Sequence, residues 1–330
     1  MLRTIAAGLV STALLVPVVA RADCQMIMPG QPGGKPNTII FQGCNIEINN
    51  GAGSTSTING LGNLVIGYNE PRPDTTPADR GGSHNLIVGV RHHYPSYSGL
   101  VAGRQNTVSG PYSSVTGGGQ NTASGSRSAV TGGQSNTASN TTSAVCGGES
   151  NVASGLAASV SGGGANTASG GGAWIGGGRS NIASGTNSAV AAGDTNTASG
   201  EEAAVSAGAS NAATNSFASV SGGTENLASG LASVVAGGAA NQANDGYTAI
   251  SGGMSNLAGP GMPFPRLGGV GGSLAASICG GFQNVATGYA SAAGGGRQNA
   301  VTGGYAAVSG GSVVSEAGDD AWAAGGIHSP

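Results

Sequence analysis

The sequence predicts an all-β fold, a parallel β-solenoid of β-roll type, and three observations support that prediction. Asparagine recurs every fifteen residues from Asn106 to Asn256, and glycine supplies 65 of the 330 residues. Within each repeat, apolar and polar or small residues alternate with the two-residue period of a strand. Self-similarity at a fixed period of this kind indicates stacked structural repeats.

The repeating unit reads roughly S-x-V-[ST]-G-G-x-x-N-x-A-S-G-x-x. An apolar series accompanies the asparagines; it is read as starting at Leu100, continues at Val115 and every fifteenth residue to Ile250, and resumes at Ile278. Helix is excluded because each unit holds several glycines, each costing about 1 kcal/mol in a helix interior. We expect two short strands and two turns per unit, with Val115 and Ala123 facing inward. About 17 coils, paired as parallel strands, would form a rod of roughly 80 Å.

Two positions in each coil are predicted to need a left-handed backbone. The second glycine of each Gly-Gly pair, such as Gly118, Gly133 and Gly148, does not vary along the repeat. The position ten residues after the core valine holds glycine, asparagine or aspartate, as in Gly125 and Asn140. These residue types tolerate positive φ, so both corners of the coil are expected to adopt it.

The asparagine series, which includes Asn121, Asn136 and Asn151, has two interpretations. The side-chain amides could bond from coil to coil as a ladder. Alternatively, each could satisfy backbone groups at its own corner. Both roles are structural.

The first 22 residues, MLRTIAAGLVSTALLVPVVARA, combine an early arginine, an apolar run and a small-x-small cleavage site, and predict a signal peptide. The mature chain is therefore expected to be secreted or to lie at a bacterial cell surface, with no membrane-spanning segment after cleavage. Export permits disulfides, and Cys24 with Cys44 is the expected pair. Residues 23–60 are predicted to form an N-terminal cap, with strands in TIIFQ and NIEIN, and residues 61–330 the roll.

Longer coils are expected before Leu100, with Val65 and Ile87 facing inward. Insertions at about 68–84 and 259–272 are predicted to project as loops. Binding surfaces favour arginine and aromatic residues, so these loops and the coil between them supply the candidate partner-binding residues, which are Arg72, Arg80, Tyr94, Tyr97, Phe264 and Arg266.

Coils such as NTASGSRSAVTGG (residues 121–133) and NVASGLAASVSGG (residues 151–163) resemble the head repeats of trimeric autotransporter adhesins, the YadA-like heads. The likeness covers about residues 63–326. It implies a left-handed parallel β-roll, a homotrimer, and binding to an extracellular matrix or cell-surface receptor. The ending DDAWAAGGIHSP shows no heptads like those of the stalk that follows such heads.

No catalytic, metal or cofactor constellation is found, and eleven basic residues with a single lysine argue against nucleic-acid binding. Cys146 and Cys279 lie eight coils apart, too far to pair within a chain; they are interpreted as buried thiols or as contacts between chains. The expected function is therefore non-enzymatic surface adhesion. The alternatives are a purely architectural fibre and an ice-binding solenoid that presents Thr-x-Ser pairs such as Thr122 and Ser124.

Overall fold

The computed structural model describes residues 25–73, 77–259 and 275–325. The chain divides into two units, residues 1–48 and 49–330. In the first unit, Gln25–Ile27 pairs antiparallel with Ile40–Gln42. The predicted strand in NIEIN does not form. The signal peptide and Cys24 lie outside the described residues, so the cleavage site and the Cys24–Cys44 pair stay predictions.

The second unit is a parallel β-solenoid with two long sheets. We call the sheet that carries the core valines the valine sheet. Its 17 strands are Leu64–Ile66, Leu86–Val90, Leu100–Arg104, Ser114–Val115, Ala129–Val130, Ala144–Val145, Ser159–Val160, Trp174–Ile175, Ala189–Val190, Ala204–Val205, Ser219–Val220, Val234–Val235, Ala249–Ile250, Ser277–Ile278, Ala292–Ala293, Ala307–Val308 and Trp322–Ala323.

The opposite sheet, which we call the alanine sheet, has 14 strands within the described residues, which therefore hold fewer complete coils than the seventeen predicted for the chain. They are Thr107–Val108, Thr122–Ala123, Thr137–Ala138, Val152–Ala153, Thr167–Ala168, Ile182–Ala183, Thr197–Ala198, Ala212–Ala213, Leu227–Ala228, Gln242–Ala243, Leu257–Ala258, Val285–Ala286, Ala300–Val301 and Ser315–Glu316. A 3-10 helix covers Pro77–Arg80. Among the described residues, no helix is long and apolar enough to cross a bilayer.

Each strand pairs in parallel with the equivalent strand of the next coil, which confirms the solenoid. Val145 pairs with Val160, fifteen residues on, and Ala138 with Ala153. The register continues across the second insertion, where Ile250 pairs with Ile278. The core is one side chain deep: valine or isoleucine from one sheet meets alanine from the other, and nearly all of these residues are fully buried.

Two assignments made for the early coils were wrong. Val101 occupies the core column, because it pairs with Val115, whereas Leu100 pairs with Ser114 and is only half-buried. That coil has 14 residues, so counting back by fifteen gives the wrong residue. Val65 pairs with Ile87 in the core column but is 39% exposed, because the alanine sheet begins only at Thr107 and no strand of it covers Val65.

The corners differ from the prediction in where the left-handed residues lie. Gly118 has φ of 76°, as its residue type suggests, but the two further left-handed residues of that coil are Gln120 and Arg127, with φ of 57° and 56°. Gly125, the predicted second corner residue, has ordinary φ. Glycine is favoured there by a close approach of two coils, since an added Cβ would lie well inside 3.0 Å of the carbonyl oxygen of Asn140.

The asparagines form a buried ladder that combines both interpretations. The Asn121 Oδ1 accepts the backbone N–H of Asn136 in the next coil, 2.9 Å away. Its Nδ2 donates to the carbonyl of Gly117 at its own corner and to that of Gly133 in the next coil. The Asn121 side chain is fully buried, so its own polar atoms depend on these backbone partners. In later coils an amide also reaches the preceding amide, as Asn166 Nδ2 does to Asn151 Oδ1 at 3.1 Å.

His92 takes the place of asparagine at the start of this ladder. Its Nδ1 accepts the backbone N–H of Asn106 at 3.3 Å, and its Nε2 faces the carbonyl of Val88 at 3.0 Å. The ring nitrogen that faces an N–H must act as an acceptor, and the one that faces a carbonyl must act as a donor. The His92 ring is therefore neutral, with its proton on Nε2. Burial lowers the pKa of His92, and the nearby Arg72 charge lowers it further.

We expect this histidine to make the first coils sensitive to acid. Its pKa is lower in the folded chain than the value near 6.5 of the unfolded chain, so its contribution is complete above about pH 6.5 and is lost as pH falls below it. His93 adds to the slope, because burial also lowers its pKa despite the carboxylate of Asp79.

The test is urea unfolding between pH 8 and pH 5, with His92→Asn as the matched variant. Asparagine stands at every later rung of the ladder, so the variant should fold and should lose less stability in acid than the wild type. Equal pH slopes for the two proteins would contradict the role assigned to His92.

Candidate functional site: an aromatic corner

One corner of the coil carries large apolar side chains in single file, and all of them except the partly buried Tyr97 are exposed. They occupy the positions four and three residues before the core apolar residue of the next coil, at the turn that leads into the valine sheet. We call this line the aromatic corner. Its members are Tyr97, Tyr112, Leu156, Phe217, Leu231, Tyr247, Tyr289 and Tyr305.

The aromatic rings of this corner are well exposed to solvent. Tyr112 is 49%, Phe217 53%, Tyr247 54% and Tyr305 63% exposed. The largest fully buried side chains are instead those of the core column, such as Ile175 and Ile250. About half or more of the surface of the four corner residues therefore stays in water, where it adds nothing to the stability of the coil and is accessible to a partner.

Two tyrosine pairs repeat the same arrangement near opposite ends of the stack. The rings of Tyr97 and Tyr112 meet edge to face with centroids 5.3 Å apart, and those of Tyr289 and Tyr305 do so at 5.2 Å. In both pairs, the second tyrosine donates its backbone N–H to the carbonyl of the first, one coil earlier. Such edge-to-face contacts fix the rings in place.

Two phenol groups of the corner, those of Tyr97 and Tyr305, have raised pKa values. Burial raises the pKa of Tyr97, with a further contribution from Tyr112. Repulsion from Tyr289 raises the pKa of Tyr305. Both groups therefore keep an O–H donor and an uncharged ring, which suits them to contact a polar ligand that also has apolar faces.

Sequence reasoning selected only Tyr97 among these residues. The signal was present in the repeat itself: Tyr112, Tyr247 and Tyr305 each lie three residues before the core residue of the next coil. A comparison of the aromatic residues by their position within the coil, instead of by their occurrence in irregular segments, would have identified the aromatic corner.

The other candidate binding residues are engaged within the chain or lie outside the described residues. Tyr94 is 3% exposed and stands where later coils carry the core alanine, so its ring belongs to the core. Arg72 Nε donates to the carbonyl of Arg91 at 2.8 Å, and Arg72 also contacts Gln105 and Thr107. Phe264 and Arg266 lie outside the described residues.

The first insertion folds back on the coils instead of projecting. Arg80 Nη1 donates to the carbonyl of Asn69 at 2.6 Å, and the Asn69 amide donates to the Tyr94 hydroxyl at 2.7 Å. Asp79 pairs with His93 at 3.1 Å. The arginines predicted to bind a partner thus hold this segment against the solenoid, although residues 74–76 are not described.

The outer face of the valine sheet is lined mostly by small side chains, and we call it the smooth face. Cys146 and Cys279 lie on it and are exposed, so the interpretation as buried thiols was wrong. Trp174, 41% exposed, interrupts the small residues by lying across Gly176 of its own coil. A face with this composition permits close approach of another flat surface.

The outer face of the alanine sheet carries the predicted Thr-x-Ser column. Thr122 and Thr137 stand in register, but the next residue in the column is Val152. Ile182, Leu227 and Leu257 interrupt the column further on. Within the described residues, no group of three or more His, Cys, Asp or Glu side chains could hold a metal ion.

No family model matches the chain, and no curated protein matches it.

Proposed function

We propose that the chain is a non-enzymatic, exported adhesion protein whose solenoid displays a binding surface, in the manner of a trimeric autotransporter adhesin head. The observation that carries the proposal is the aromatic corner, where Tyr112, Phe217, Tyr247 and Tyr305 are about half exposed or more on a rigid, repetitive support. Clustered exposed aromatic rings are typical of binding surfaces. The resemblance of the coils to YadA-like heads supports the same function.

Adhesion is tested with beads coated with residues 23–330. We expect the beads to adhere, saturably, to immobilised extracellular matrix or to cell surfaces. Beads coated with heat-unfolded chain serve as the control, since they carry the same sequence without the ordered corner. Equal adhesion of folded and unfolded chain, or none by either, would contradict the proposal.

The proposal includes a homotrimer packed through the smooth face. Ala144 and Cys146 flank the core residue of one coil, and small residues continue the face in the coils before and after. Small side chains let backbones approach closely, and the core of a single chain is only one side chain deep. The aromatic corner lies at the edge of the valine sheet, so a contact through the middle of that face leaves the corner in water.

We therefore expect Ala144→Glu to convert trimers to monomers, because three like charges brought together cost several kcal/mol. The matched control is Ala157→Glu: Ala157 is exposed at the aromatic corner, at a coil position where another coil carries Glu202. Sedimentation equilibrium should give three chains for the wild type and the control, and one for Ala144→Glu. A monomeric wild type would contradict the trimer.

An architectural fibre is the second candidate, favoured by apolar side chains exposed near both ends of the stack. Leu64 is 46%, Ile66 55% and Trp322 67% exposed. End-to-end association would cover them and extend the parallel sheets. Long filaments in electron micrographs of purified chain would favour this function. An ice-binding role depends on the interrupted Thr-x-Ser column, and unaltered ice growth would remove it.

A further inference from the structure

We propose that the aromatic corner binds a neutral polysaccharide chain lying along the stack. This inference rests on the proposed surface-binding function and assigns the chemical class of the partner. Four features support it: the linear arrangement of the rings, the polar groups between them, the sign of the nearby charges, and the backbone conformation at which the rings occur.

The rings are arranged for a linear ligand. Tyr112 and Tyr305 are separated by twelve coil steps, hence by about 58 Å at the usual spacing of parallel strands. The line is only one or two residues wide. A globular partner needs a compact patch of about 800 Å² with clustered anchors. An extended chain can contact rings spaced along one line.

The groups between the rings suit a sugar. Thr142 and Asn187 are exposed at the same coil position as the rings, and Thr186 stands beside Asn187. Sugar rings present polarised C–H groups on their faces and hydroxyls around their rims. The electron-rich face of an aromatic ring attracts such C–H groups, while hydroxyl and amide side chains exchange hydrogen bonds with the rims.

The charges at the corner favour a ligand without negative charge. Glu201 and Glu202 are exposed in one coil, and Asp319 and Asp320 in another. Arg127, which lies 5.9 Å from the centroid of the Tyr112 ring, supplies positive charge at one end only. Sulfated or uronic polysaccharides would be repelled at these two acidic coils. Neutral sugars would instead donate hydroxyl hydrogen bonds to the carboxylates.

The fold does not require aromatic residues at this corner. Tyr112, Phe217, Tyr247 and Tyr305 have φ between 57° and 60°, a region that bulky residues seldom adopt. Ala157 takes the same conformation at the same coil position. Bulky residues held there, with their rings in water, indicate a role other than stability.

The test compares the wild type with a corner variant in which Tyr112, Phe217, Tyr247 and Tyr305 are changed to alanine. Alanine is native to that position in other coils, so the variant should fold. The matched control carries Ile182→Ala and Leu227→Ala on the alanine sheet, where Ala212 stands natively in the same column. Circular dichroism and sedimentation establish that both variants keep the fold and mass of the wild type.

The probes are insoluble cellulose and chitin as neutral chains, dextran sulfate as an anionic chain, and gelatin as a protein. We expect the wild type and the control to bind cellulose or chitin and not dextran sulfate. The corner variant should bind roughly tenfold or more weakly, because four stacking contacts are lost. Unchanged binding by the corner variant would overturn the proposal.

Two further outcomes separate this inference from the proposed function. If wild-type beads adhere to surfaces but bind neither cellulose nor chitin, the polysaccharide assignment is overturned and adhesion stands. If the corner variant loses binding to gelatin alone, the partner is a protein and the assignment is again overturned. If the beads adhere to nothing, the proposed function itself fails.

Discussion

Gly148→Ala should destabilise the solenoid strongly. Gly148 has φ of 86°, and an added Cβ would lie well inside 3.0 Å of the carbonyl oxygen of Gly163 in the next coil. The variant must accept a strained backbone or separate two coils, and the separation breaks ladder hydrogen bonds on both sides. We expect a loss of roughly 3 kcal/mol or more in the free energy of unfolding, measured by urea unfolding followed by circular dichroism.

Gly147→Ala is the matched control. Gly147 is the adjacent glycine, has no atom within 4 Å of an added Cβ, and does not take positive φ. Replacing it should change stability by less than about 1 kcal/mol. Equal effects of the two substitutions would show that the Gly-Gly pair is not used as the structure describes.

Asn181→Ala should have a comparably large effect through the buried ladder. The Asn181 Oδ1 accepts the N–H of Asn196 at 2.9 Å, and its Nδ2 donates to the carbonyls of Gly177 and Gly193. Truncation leaves the buried N–H of Asn196 and the part-buried carbonyl of Gly177 without these partners, whereas the Gly193 carbonyl keeps the N–H of Arg179. At about 1–3 kcal/mol for each unsatisfied buried group, the expected loss is about 2 kcal/mol or more, measured by urea unfolding.

Asn187→Ala provides the comparison six residues away. Asn187 is exposed at the aromatic corner, and Ala157 occupies the same position in another coil. Its replacement should cost less than about 1 kcal/mol. A similar loss for both variants would mean that the ladder contributes no more than an exposed asparagine.

Most of the fold could be predicted from the fifteen-residue period, because each coil repeats the structure of its neighbour. Val115 and Ala123 could be placed in the core from strand alternation alone, and Gly118 could be assigned to a corner from its residue type. The errors arise where the repeat changes length: the coil that ends before Val115 has 14 residues, so Val101 and not Leu100 enters the core.

The backbone conformation at the corners was less predictable, because residue type does not indicate at every corner whether φ is positive. Gln120 and Arg127 take positive φ although neither type favours it; inter-coil hydrogen bonds, such as that from the Arg127 N–H to the carbonyl of Pro111, hold that geometry. Gly125 is glycine for lack of space rather than for φ. At Gly118, the preference of the residue type and the contacts between coils both favour positive φ. At Gln120, Arg127 and Gly125, the residue type and the contacts between coils favour different backbone conformations.

The candidate site was the least predictable part. Arginines and aromatics in irregular segments looked available for a partner, but Arg72 and Tyr94 are used to close the first coils. The exposed rings belong to the regular coils, where composition alone suggested only a uniform shaft. Exposure depends on which side of the turn a residue occupies, and alternation by two does not continue through a turn.

The central claim is that successive coils stack in register at a constant rise. It is tested most directly by a spin–spin distance between labels at Ser126→Cys and Ser216→Cys, in a chain whose four native cysteines are serine, diluted with unlabelled chain. These two serines occupy one corner position six coil steps apart, so a narrow distribution near about 29 Å is expected. A broad distribution, or a peak far from that distance, would contradict the stack.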